Sequence, residues 1–181
     1  SGADLLVLEM LLDVDHSKIL LNAALETGLP VWVGLSCCDS KFDNSVIGRN
    51  FRAEKEKSLI YDENKYRDQP KYLPEDKIIL LEDIIKSLTS LGGDVYGIMH
   101  TWFQDSIGGL KILKNNWKGP IMFYPEIHKF DTNTHKAIIT MTEEEFSNSI
   151  LELIDDQIQI VGGCCGVNDK HLKRLIQSIS E

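Results

Sequence analysis

Short apolar runs alternate with helical patterns along the whole chain, and that alternation restricts the possible folds more than any other feature. Leu5-Leu6-Val7-Leu8 is continuously apolar, as a strand buried on both faces should be. A helical pattern follows, with Asp13 or Asp15 as N-cap, apolar Ile19, Leu20, Ala23 and Ala24, and Gly28 with Pro30 as the stop. Val31-Trp32-Val33-Gly34-Leu35 reads as the second strand, ending at Ser36-Cys37-Cys38. After an irregular stretch, a helix is predicted over 78–91, closed by Gly92-Gly93. The strand Val95–Met99 then ends at His100, and a helix from near Asp105 to Trp117 is weakened by Gly108-Gly109.

The last third repeats the scheme. Gly119-Pro120 introduces the strand Ile121–Tyr124, and Pro125 to Ile139 reads as an irregular loop. Thr142 and Glu145 form a capping box, in front of a helix carrying Phe146, Ile150, Leu153 and Ile154 on one face. Ile158–Val161 is the final strand and runs into Gly162-Gly163-Cys164-Cys165-Gly166. Asn168 or Asp169 caps a last helix whose Leu172, Leu175, Ile176 and Ile179 should face inward. About five strand–helix units in strict alternation predict an α/β fold with parallel strands joined by right-handed crossovers. Either a doubly wound sheet or a barrel would satisfy the pattern. No G-x-G-x-x-G follows the first strand, so a dinucleotide-binding fold has no support.

The 181 residues suit a single domain spanning 1–181, and 43% hydrophobic residues are enough to build its core. One segment interrupts the pattern: from Asp39 to about Asp76 (39–76) no period persists, so it reads as an inserted loop. A net charge of −9, with acidic residues spread along the chain, argues against nucleic acid as a partner. No run approaches the roughly 18 to 20 apolar residues of a membrane span, so a soluble, cytoplasmic protein is expected. The four cysteines form two adjacent pairs, Cys37-Cys38 and Cys164-Cys165. Neighbours in sequence bridge poorly, so these thiols read as metal ligands or as small buried hydrophobes.

In parallel α/β folds the C-terminal ends of the strands line the site. Those ends carry Glu9, Cys37-Cys38, His100, Tyr124 and Cys164-Cys165. Thiols and an imidazole converging on one face are ligands that Zn²⁺ favours, and three protein ligands leave a coordination position open, as in catalytic sites. Each residue also has a plainer reading: a hydrogen-bonded histidine, or a cysteine that merely fills space. The Gly-Gly-Cys-Cys-Gly run is harder to read that way, because its glycines let the backbone approach closely while two thiols are held side by side.

Ile160-Val161-Gly162-Gly163-Cys164-Cys165-Gly166, followed by a polar pair and a helix, resembles the C-terminal signature of the homocysteine S-methyltransferase family. Gly2 to Glu9 is similar to that family's middle strand, and Gly28 to Val33 to the next one. The resemblance implies part of a (β/α)₈ TIM-type barrel, lacking the N-terminal strands, in which three cysteines hold zinc. Two of them correspond to Cys164 and Cys165, and His100 stands where the third would be, in Gly97-Ile98-Met99-His100. Cys37 or Cys38 is the alternative third ligand. Glu9 matches the family glutamate that contacts the substrate ammonium group. Tyr124-Pro125 echoes a family Tyr-Pro, but Glu126 departs from the asparagine that usually follows.

By the same resemblance, the activity would be methyl transfer from a small-molecule donor to the sulfur of homocysteine, giving methionine. The alternative is a non-catalytic zinc-binding or assembly module derived from the family. About five units are fewer than the eight, in roughly 250 residues, of a complete barrel. A longer protein, self-association or a complementary chain completing the barrel is therefore expected.

Overall fold

The computed structural model describes residues 2–39, 45–48, 79–131 and 136–180. No helix among them is long and apolar enough to cross a membrane. Five parallel strands form the main sheet: β1 (Leu6–Leu11), β2 (Val31–Leu35), β5 (Val95–Trp102), β6 (Ile121–Glu126) and β9 (Ile158–Val161). Helices follow them: α1 (Val14–Leu25) after β1, α2 (Leu81–Thr89) before β5, α3 (Phe103–Asn116) after β5, α4 (Glu143–Leu151) before β9 and α5 (Asp169–Ser180) after it.

The strand order in the sheet is β1-β2-β5-β6-β9, the same as the order along the chain. A doubly wound sheet reverses its order at a switch point, and this sheet has no reversal. The arrangement is therefore an arc of five (β/α) units from a TIM-type barrel, the choice that periodicity left open.

Local chemistry accounts for the helix starts. The Asp13 carboxylate accepts from the His16 backbone N–H at 2.9 Å and caps α1. Thr142 and Glu145 form the expected capping box at the start of α4. The Asn168 side chain accepts from the Lys170 N–H at 3.0 Å and starts α5. The core lies between sheet and helices, where Val33, Leu35, Ile98 and Phe123 meet Leu21, Ile85, Leu113 and Phe146. The other sheet face is filled differently. A Cβ on Gly34 would lie 2.7 Å from Met99 Sδ, and one on Gly97 2.2 Å from Met122 Cγ. Two glycines thus make room for two methionines on the barrel's inner face.

Several sequence-based expectations need correction. β5 and β6 run past their predicted ends, through His100 and to Glu126. Residues read as an irregular loop form a hairpin instead, β7 (His128–Asp131) with β8 (Lys136–Ile139). A second ribbon pairs β3 (Cys37–Asp39) with β4 (Val46–Gly48) and reaches into the predicted insertion 39–76, whose residues 40–44 and 49–76, with 77 and 78, lie outside the described residues.

The helix faces differ as well. α1 buries Ser17, Leu21 and Ala24, whereas Ile19 and Leu20 are exposed. α5 buries His171 and Leu175, whereas Ile176 and Ile179 are exposed. These two helices are the outermost units of the arc, so each has only one neighbouring helix to cover its apolar stripe.

Candidate metal centre

β5 carries His100 in an unusual backbone state. Its φ is +45°, in the left-handed region that a non-glycine residue occupies only when its surroundings enforce it. The enforcing contacts come from the segment that follows β2. Ser36, fully buried, donates its hydroxyl to the His100 carbonyl at 2.6 Å. Next to it, the Cys37 N–H donates to Thr101 Oγ1 at 3.0 Å, and that hydroxyl donates to the Met99 carbonyl at 2.9 Å. The pairing with β6 slips between Met99 and Trp102, and this irregularity turns the imidazole toward β9.

The Gly-Gly-Cys-Cys-Gly segment is fastened to the end of β6. The Cys164 N–H donates to the Pro125 carbonyl at 3.0 Å, and the Ile127 N–H donates to the Cys165 carbonyl at 2.9 Å. A Cβ on Gly163 would stand 2.1 Å from Val167 Cγ1, and Gly166, at φ +89°, would press one against the His128 backbone. Tight turning around two adjacent thiols therefore excludes side chains at both positions.

Three donors converge in consequence. His100 Nδ1 lies 3.5 Å from Cys164 Sγ and 3.6 Å from Cys165 Sγ, and the two sulfurs are 3.8 Å apart. Bonds of about 2.3 Å to sulfur and about 2.0–2.1 Å to nitrogen, at tetrahedral angles, put two sulfurs about 3.8 Å apart and a sulfur and a nitrogen about 3.5–3.6 Å apart. The donor set thus matches three corners of a tetrahedron around a zinc-sized ion, with the fourth corner left to another ligand. Burial pushes the Cys164 thiol up to about 11, helped by the neighbouring Cys165 and the Glu126 carboxylate. A bound cation reverses that balance by stabilising the thiolates.

The other predicted residues fall in different places. Cys37 is 2% exposed, and a Cβ on Gly109 of α3 would lie 2.6 Å from its sulfur. Burial raises its thiol far above the ordinary range. Among the described residues, neither Cys37 nor Cys38 joins a group of metal donors. Glu9, exposed on β1, acts electrostatically on Tyr124, whose phenol is pushed up to about 12, first by burial, then by Glu9 and Cys164. Tyr124 therefore lies within electrostatic reach of both Glu9 and Cys164.

Two neighbours of the donors were not assigned a role by sequence. Glu126, 4% exposed, holds Oε2 3.5 Å from His100 Nδ1, and His128 Nδ1 lies 4.0 Å from the same oxygen. Their Glu-x-His spacing along an extended segment was the available signal, hidden because this stretch read as a loop.

Solved structures of homocysteine methyltransferases share this fold. The metallated form of the homocysteine methyltransferase MmuM from Escherichia coli aligns with 98% of this chain at a TM-score of 0.63 and 15% identity, and the apo form with 97% at 0.60 and 15%. The chain covers 46% and 50% of those two chains, about half their length. At such identity the likeness establishes the fold. No curated protein matches the sequence significantly. The family model for homocysteine S-methyltransferase matches residues 80–179, which contain His100, the β6 end and the paired cysteines. More than half of the sequence, including all three converging donors, thus follows that model, and the chain belongs to the homocysteine S-methyltransferase family.

Proposed function

We propose that this chain carries the metal-binding face of a methyltransferase that moves a methyl group to the sulfur of homocysteine, giving methionine. The observation that carries this reading is the near-tetrahedral spacing of His100, Cys164 and Cys165 at the strand ends. These residues would hold Zn²⁺, whose Lewis acidity lowers the pKa of a coordinated thiol. His100, held by Ser36, supplies a neutral donor where the family pattern has a thiolate, so the site is one charge more positive. It should therefore favour ionised homocysteine more strongly and leave its sulfur somewhat less nucleophilic.

The rest of the mouth would bind the amino acid. Glu9 would offer a carboxylate to the substrate ammonium group, with Tyr124 within electrostatic reach of both Glu9 and Cys164. In the transfer, the homocysteine sulfur bonds to the methyl carbon while the donor's bond to that carbon breaks and the donor keeps the pair. The thiol proton leaves to solvent. The exposed apolar residues of α1 and α5 would be covered by further strand–helix units, from the same protein, a second copy or a complementary chain.

A second reading, a metal-binding assembly module without catalysis, draws on the same exposed residues and on the half-length coverage of the solved structures. Homocysteine titrated into the Co²⁺-loaded chain separates the two. Added near-ultraviolet thiolate-to-cobalt absorption, absent with H100A or C164S, supports the methyltransferase site. A spectrum unmoved by millimolar homocysteine sinks it and leaves the assembly module.

A further inference from the structure

The three donors do not end the cluster. Glu126, His128 and Cys165 place a carboxylate oxygen, a ring nitrogen and a thiol sulfur within 4.8 Å of one another, directly beside His100, Cys164 and Cys165. The Nδ1 atom of His128 is buried and has no hydrogen-bond partner. Its distance of 4.0 Å from Glu126 Oε2 is too long for a hydrogen bond. A cation between them, with bonds of about 2.0–2.2 Å to nitrogen and to oxygen, holds the two atoms about 3.4 Å apart at a tetrahedral angle, so a side-chain shift of about 0.6 Å closes the pair on it.

Burial points the same way. Glu126 is 4% exposed, and its Oε2 lies 3.5 Å from His100 Nδ1 and 4.0 Å from His128 Nδ1, so the second donor group adjoins the first. The mixed oxygen, nitrogen and sulfur donor set is one that borderline divalent cations accept.

We propose that Glu126, His128 and Cys165 form a second divalent-metal position, joined to the first through the shared sulfur of Cys165. A thiolate sulfur keeps lone pairs after binding one ion, so it can bridge two. The chain then holds two ions in a continuous cluster, the first on His100 and Cys164, the second on Glu126 and His128. This inference rests on its own donor set and does not require that the chain transfer methyl groups.

Equilibrium dialysis of the full chain against Zn²⁺, read by elemental analysis, tests it alongside E126Q, H128A, H100A and C164S. Circular dichroism of each metal-free variant verifies folding, and H128Q replaces H128A should the latter not fold. Two ions per chain are expected, falling to one in E126Q and H128A. With Co²⁺, the second equivalent should add its own thiolate charge-transfer absorption through Cys165, and H128A should abolish that increment. A single ion lost in H100A and C164S but untouched by E126Q and H128A would overturn the second position and leave the first. A single ion with the opposite pattern would support the second and overturn the first. No bound ion would overturn both.

Discussion

At the residue scale, the centre depends on a backbone state that its own side chain does not favour. His100 sits at φ +45° with its carbonyl anchored by Ser36, just past the end of the neighbouring strand. Removing that hydroxyl in S36A should leave the core intact while letting the imidazole drift. We expect zinc affinity to fall about 10–100-fold, as it does when outer partners of metal ligands are lost. Competition with a chromophoric chelator would measure it, and unchanged affinity would show that Ser36 does not position the ligand. Cys37 makes a different prediction. Burial raises its thiol pKa in the fold well above the unfolded value of about 8.5. A raised pKa means that its contribution to stability is complete below about pH 8.5 and declines as pH rises toward the folded value. That single thiol removes up to about 1.4 kcal/mol of stability per pH unit in that window. Urea unfolding of the metal-free chain should show a smaller loss between pH 8.5 and 10 in C37A than in wild type. Equal losses would refute the assignment.

At the scale of elements, caps and glycines divide into those that support the fold and those that shape the site. Thr142 caps α4, far along the chain from the ligands, so T142A should cost about 1 kcal/mol of stability and leave metal binding unchanged. Gly163 has the opposite profile. Its Cβ would meet the Val167 side chain at 2.1 Å, inside the turn that presents both thiols. G163A should therefore weaken metal binding at least about tenfold, with a smaller effect on helix content. Isothermal titration and circular dichroism on the two variants would separate the effects, and equal metal affinity in both would contradict the division. The capping box and the glycine run were readable from sequence because each acts within a few residues. The hairpin of β7 and β8, and with it the site position of His128, was not. Lys136 to Ile139 is exposed throughout, so no alternation of burial marked it as a strand.

At the scale of the whole molecule, the donors join parts of the chain that are otherwise distant. His100 and Cys164 are 64 positions apart, brought together only because β5, β6 and β9 are neighbours in the sheet. The five units were legible from local apolar runs, whereas their order was not: the barrel was expected only through the family resemblance carried by the Gly-Gly-Cys-Cys-Gly run, and the sheet order bears it out. Order is a long-range property that no window of sequence contains. The exposure of Ile19 and Ile176 was unreadable for the same reason, since a helical stripe does not reveal whether a neighbour covers it. A metal bound across β5, β6 and β9 should stabilise the arc as a unit, because only the folded chain assembles the donors. At a free zinc concentration about 1,000 times the dissociation constant, binding adds about 4 kcal/mol. For a chain of 181 residues, where each kcal/mol shifts Tm by about 2–4 °C, chelation should lower Tm by about 8–16 °C. H100A, already lacking one ligand of the first position, should show a much smaller drop on chelation. A wild-type Tm indifferent to chelation would mean that the three donors meet without a metal to tie them.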